Sequence, residues 1–138
     1  MGFDIITGPE PPVKRMHAQT KYYGDTPHNQ IIQEIYENMS CRDVLTYAHY
    51  IFFRRTQAVK FGGKDMTLEE VCSLFPHVPA RSMAVSAEVG PPGKRGWRTV
   101  TLAQLLNDWY WLAKTAKNDI VMGKFQDALK HRGISCRI

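Results

Sequence analysis

Three cysteines, Cys41, Cys72 and Cys136, and five histidines are the side chains of this 138-residue chain best suited to bind a metal or act as nucleophile and base. Zinc ligands drawn from nearby sequence show up as CxxC or HxxxH pairs, and neither pair occurs here. Cys72 and His77 have four residues between them, and Cys41 and His49 have seven. On a helix rising 1.5 Å per residue the second pair lies about 12 Å apart, too far to share one ion. A thiol with a histidine elsewhere is formally a nucleophile and its base, but no local spacing joins them. The stretch "FGGKD" sets two glycines before a lysine without the spacing of a phosphate-cradling loop. The acidic residues sit at helix starts and on polar faces, where they favour the helix dipole. These patterns predict no catalytic residue, no metal site, no cofactor and no small-molecule substrate. A scattered, odd number of cysteines also fits free thiols in a reducing compartment rather than a disulfide framework.

Charge points to a different kind of chemistry. The chain carries a net charge of +5, which favours anionic partners such as nucleic acid. The densest cationic stretch is "GPPGKRGWRTVT", where Pro91, Pro92, Gly93 and Gly96 enforce turns around Lys94, Arg95 and Arg98. Cations at the tip of such a loop suit phosphate contacts, and Trp97 among them can lean on a base or sugar face or fold back over the core.

The elements that position this loop are expected to be helical. Residues 1–25 form an extended basic arm, proline-rich and without a period that could bury a face. It carries Lys14, Arg15 and Lys21 and the adjacent Tyr22 and Tyr23. Residues 26–138 make one domain, large enough to bury a core. Thr26 caps a first amphipathic helix through Ile32, Ile35, Tyr36 and Met39. Ser40 caps a second over 41–61, ended by Gly62 and Gly63, with Phe53 off its apolar stripe and Arg54 and Arg55 where it leaves the core. Thr67 and Glu70 have capping-box spacing and open a short helix that Pro76 stops; Pro79 then starts another, with Met83 and Ala87 facing inward. A second capping box, Thr101 with Gln104, opens a helix with Leu102, Leu105, Leu106, Trp109, Leu112 and Ala113 in one stripe and Trp111 opposite. The last helix covers about residues 119–132 and stops at Gly133.

Residues 67–89, two short helices about a tight turn with Cys72 at their approach, resemble a helix-turn-helix unit in which Pro76 and His77 replace the turn glycine. That resemblance implies a recognition helix presenting Arg81 and Ser82, followed by a small β-wing at residues 90–100. The fold expected is therefore mainly α, with five or six helices around a helix-turn-helix-like centre.

On this basis the sequence describes a small nucleic-acid-binding or regulatory protein. Lys94, Arg95 and Arg98 hold the backbone with Trp97 against a sugar or base, Arg81 and Ser82 approach a groove, and Lys14, Arg15, Arg54 and Arg55 add attraction. The alternative is a protein-interaction module, an assembly factor or inhibitor of the kind a virus or phage encodes, docking or self-associating through Tyr22, Tyr23, Phe53 and Trp111. No membrane span, secretory leader or N-myristoylation motif is expected, since Ile6 stands where the last needs Ser or Thr. The cytoplasm or nucleus is the expected location.

Overall fold

Five α-helices and four β-strands make up the described part of the chain, residues 27–49, 51 and 54–131 of a computed structural model. The arm residues Lys14, Arg15, Tyr22 and Tyr23, the Thr26 and Gly133 caps, and Phe53 lie outside the described residues. In chain order the elements are α1 (Pro27–Glu37), α2 (Cys41–His49), β1 (Ala58–Phe61), β2 (Lys64–Thr67), α3 (Leu68–Leu74), β3 (Ala84–Val89), β4 (Gly96–Thr101), α4 (Leu102–Thr115) and α5 (Asp119–His131). The strands form one antiparallel sheet in the order β2-β1-β3-β4. The fold is mixed α and β, which corrects the mainly helical expectation.

The first correction falls on residues 41–61. The helix that Ser40 opens does form, and the Ser40 hydroxyl accepts the Asp43 N–H at 3.1 Å, but it ends at His49. A 3₁₀ turn, Arg54–Thr56, follows, and then the chain becomes extended. Gly62 and Gly63 both have positive φ, 59° and 82°. They are the two-residue turn of a hairpin rather than a helix stop, the geometry that matches the right-handed twist of paired strands. Val59 pairs with Met66 on the inward face and Lys60 with Asp65 on the outward one.

The second correction removes the helix-turn-helix. The capping box predicted at Thr67 is present and α3 follows it, with Glu70 N–H donating to the Thr67 hydroxyl at 3.1 Å and Thr67 N–H to the Glu70 carboxylate at 2.8 Å. After Pro79, however, comes only a 3₁₀ turn, Ala80–Ser82, and then strand β3. Met83 and Ala87 are buried as expected, but on a turn and a strand. Val85, Ala87 and Val89 repeat every second residue, and that period places all three on one sheet face. The residues read as a recognition helix are therefore mostly sheet, and the loop after them joins β3 to β4 in a hairpin integral to that sheet.

Helices cover one face of the sheet. Val59, Val85, Ala87, Val89 and Val100 point into a core shared with Ile32, Tyr36, Tyr47, Leu105, Leu106, Trp109 and Phe125. Helix α4 is the centre of the fold: every residue from Leu102 to Tyr110 is buried. Its polar members are tied down rather than solvated. Asn107 donates to Gln33 Oε1 of α1 at 2.7 Å, and Gln104 completes the capping box with Thr101. Replacing Thr101 by Ala removes the acceptor for the Gln104 N–H at a buried helix start, and the expected loss is about 1–2 kcal/mol in chemical denaturation. The same change at the more exposed Thr67 box is expected to cost less.

Candidate functional site

The β3–β4 loop, residues 90–95, begins at Gly90 with φ 120° and turns again at Gly93 with φ 85°. A backbone bond from Lys94 N–H to the Pro91 carbonyl, 2.9 Å, closes the turn. What fixes the loop to the body is Asp108, a carboxylate of α4 that is only 1% exposed. One oxygen accepts the Gly90 N–H at 2.9 Å, and the other accepts from Arg95 Nη1 at 3.2 Å. Arg95 donates further to the Gly90 carbonyl and, at 2.8 Å, to the Glu88 carbonyl. Arg98 faces inward opposite Ala87, and its guanidinium donates to the carbonyls of Val89 at 2.8 Å, Gly96 at 3.3 Å and Lys94 at 3.4 Å. Two of the three loop cations thus use their donors to fold the loop, and Lys94 is the exposed one of the three.

Arg54 belongs to the same neighbourhood. Its guanidinium lies over the Trp109 ring at 5.3 Å and donates to Gln57 at 3.2 Å. Burial first, then the nearby positive charge of Arg95, holds its pKa below the ordinary arginine value, while Asp108 pulls it back up. Arg54, Arg95 and Asp108 therefore form one electrostatic unit beneath the loop. Arg55 is half-buried in the adjoining 3₁₀ turn.

On the other face of the sheet the described side chains are mostly exposed. Strand alternation places Lys60, Ser86, Glu88, Trp97 and Thr99 on it. Trp97, the residue opposite Glu88, is 51% exposed, and the Lys60 ammonium lies 5.9 Å from its ring centroid. Lys60 is also 3.6 Å from Asp65, both largely in solvent, so this pair contributes little to stability. An indole held on a flat strand with much of its surface in water, flanked by one ammonium and preceded in the chain by the exposed Lys94, is a surface on which a planar group can stack.

Of the residues singled out in the sequence, Lys94, Arg95, Trp97, Arg98 and Arg54 come together around the β3–β4 hairpin. Arg81 and Ser82 do not join them. They lie before the start of β3, and six strand residues, roughly 20 Å of extended chain, separate them from the loop. Arg81 reaches instead to the last residue of α1, donating to the Glu37 carbonyl at 3.3 Å. Trp111 is half-buried, packed edge-on against Tyr110 at 5.1 Å and covered by Lys114 at 5.6 Å. Two residues escape sequence reasoning. Helical spacing runs a helix through Lys60 and sets Asp108 on a solvated polar side; the period-two run from Ala58 to Phe61 carries the signal for the first.

No family model, curated protein or solved structure matches this chain. Among the described residues no helix is long and apolar enough to cross a membrane. Nor do three or more His, Cys, Asp or Glu side chains converge there in a group that could hold a metal ion.

Proposed function

We propose that this is a small basic nucleic-acid-binding protein that takes single-stranded DNA or RNA on the exposed face of its sheet, at the foot of the β3–β4 loop. One observation carries the reading: Trp97 stands half in solvent on a sheet face of exposed side chains, with the Lys60 ammonium 5.9 Å from its ring centroid and the exposed Lys94 three residues before it in the chain. Unpaired bases stack on such a ring whatever their identity, because every base has a π-face, while cations follow the backbone. The net charge of +5, to which Lys14, Arg15 and Lys21 near the start of the sequence contribute, favours the same class of partner. The loop arginines support the site indirectly, by holding the loop that carries Lys94.

Glu88, the cross-strand neighbour of Trp97, makes this reading sharp, since a carboxylate there opposes a phosphate and welcomes a cation. A labelled single-stranded oligonucleotide and its duplex, titrated at two salt concentrations, give the comparison. Single strands are expected to bind tighter, Lys94→Ala to weaken binding modestly and flatten the salt dependence by about one ion, and Glu88→Gln to strengthen binding several-fold. Weaker binding by Glu88→Gln, or equal affinity for the duplex, defeats the proposal.

A further inference from the structure

Resting on that reading, we propose that the base stacked on Trp97 is selected as guanine, with the Glu88 carboxylate accepting from its two edge donors, N1–H and the N2 amino group. Glu88 and Trp97 are direct cross-strand partners on the exposed face of the sheet, and such a pair stands about 5 Å apart at Cβ. Lys60 approaches the same place from the other side. It belongs to β1 and Trp97 to β4, with β3 between them, so their backbones are separated by two strand spacings, roughly 10 Å. Yet the Lys60 ammonium lies 5.9 Å from the indole centroid, so the interval between ammonium and ring lies over β3, the strand that carries Ser86 and Glu88. Arg95 donates to the Glu88 carbonyl at 2.8 Å and fixes the backbone there. The Glu88 side chain is exposed, and among the described residues no group donates to its carboxylate.

An ionised carboxylate only accepts hydrogen bonds, so it discriminates by donors. Guanine alone among the bases presents two adjacent N–H donors on its Watson–Crick edge, and these match the two carboxylate oxygens as a charge-assisted pair. Adenine sets the N1 lone pair beside its amino group, cytosine sets N3 beside its own, and thymine or uracil flanks a single N–H with two carbonyl oxygens. Each of those edges turns a lone pair toward the anion. Stacking is indifferent to the base, so Trp97 supplies affinity and Glu88 supplies the choice. A site that only followed the phosphate backbone would gain nothing from an anion beside its stacking ring, and the Lys60 ammonium offsets the repulsion that the anion brings.

The test compares a short thymidine strand with the same strand carrying one central guanosine, by fluorescence anisotropy at equal salt. Wild type is expected to bind the guanosine strand about fivefold tighter or more. Inosine at that position keeps N1–H and lacks the N2 amino group, and is expected to fall between the two. Glu88→Gln replaces one acceptor by a donor, so it is expected to bind both strands alike while keeping the gain on the thymidine strand that loss of the charge brings. Glu88→Ala is expected to lose the preference as well. Equal binding of the two strands by wild type, with Trp97→Ala still weakening both, overturns the guanine assignment and leaves the stacking site standing. Binding of neither strand, or no effect of Trp97→Ala, overturns the stacking site and the assignment with it. A preference for guanosine that persists in Glu88→Gln and Glu88→Ala overturns the role given to Glu88.

Discussion

Asp108→Ala is expected to destabilise the fold by about 3 kcal/mol, which lowers the thermal midpoint by roughly 10 °C. The carboxylate is buried, accepts the Gly90 N–H and pairs with Arg95, and it lies within electrostatic reach of Arg54. Its removal leaves the Gly90 N–H without that acceptor and sets two guanidinium groups near each other without their shared counter-charge. Breaking one side of a buried pair typically costs about 3–5 kcal/mol. The lower end is expected here, because the Arg95 side chain keeps 27% of its surface in water. Asp108→Asn separates the two contributions: it can still accept from Gly90 but offers an amide to Arg95, and about half the loss is expected. Denaturant titrations of the two variants check the order. Equal stability of wild type and Asp108→Ala would show that the loop is not clamped.

Gly90→Ala is expected to be nearly as damaging, by roughly 3 kcal/mol, for a reason that involves no charge. At φ 120° an L side chain is strained whatever surrounds it. Here a Cβ would also stand 2.6 Å from the Lys94 carbonyl oxygen and 3.3 Å from the Arg95 Cα, both backbone atoms that cannot move without opening the loop. Gly93 supplies the control. Its φ of 85° is also positive, yet nothing lies within 4 Å of the place a Cβ would take, so Gly93→Ala carries the conformational cost alone, about 1 kcal/mol. Thermal unfolding of both variants is expected to rank Gly90→Ala well below Gly93→Ala. The reverse order would contradict the close approach of the two loop strands.

The parts of this fold that are legible in the sequence are those whose atoms lie within four residues of each other. Both capping boxes and the Ser40 cap form because side chain and partner N–H are three positions apart, and no distant contact competes. The strands are misread where local signals are degenerate. A glycine pair after an apolar run serves a helix C-terminus and a tight hairpin equally well, since both need positive φ. Met83 and Ala87 suit a helix at a spacing of four, while Val85, Ala87 and Val89 suit a strand at a spacing of two. Pairing with β4 across the loop and with β1, an element far away in the chain, decides between them. The same limit hides Asp108, whose partners Gly90 and Arg95 lie 18 and 13 residues away and convert an apparently solvated helix face into a buried clamp. The cationic loop is evident as a segment, but residue types cannot tell the arginines that bind its own carbonyls from the exposed Lys94.

Binding of a short single-stranded oligonucleotide by wild type and Trp97→Ala, followed by fluorescence anisotropy at equal salt, tests the functional proposal most directly. Because Trp97 projects from a sheet face of exposed side chains, its loss is expected to leave thermal stability nearly unchanged while weakening binding by about tenfold or more, the worth of one stacked base. Identical affinity and identical salt dependence in the two proteins would contradict it.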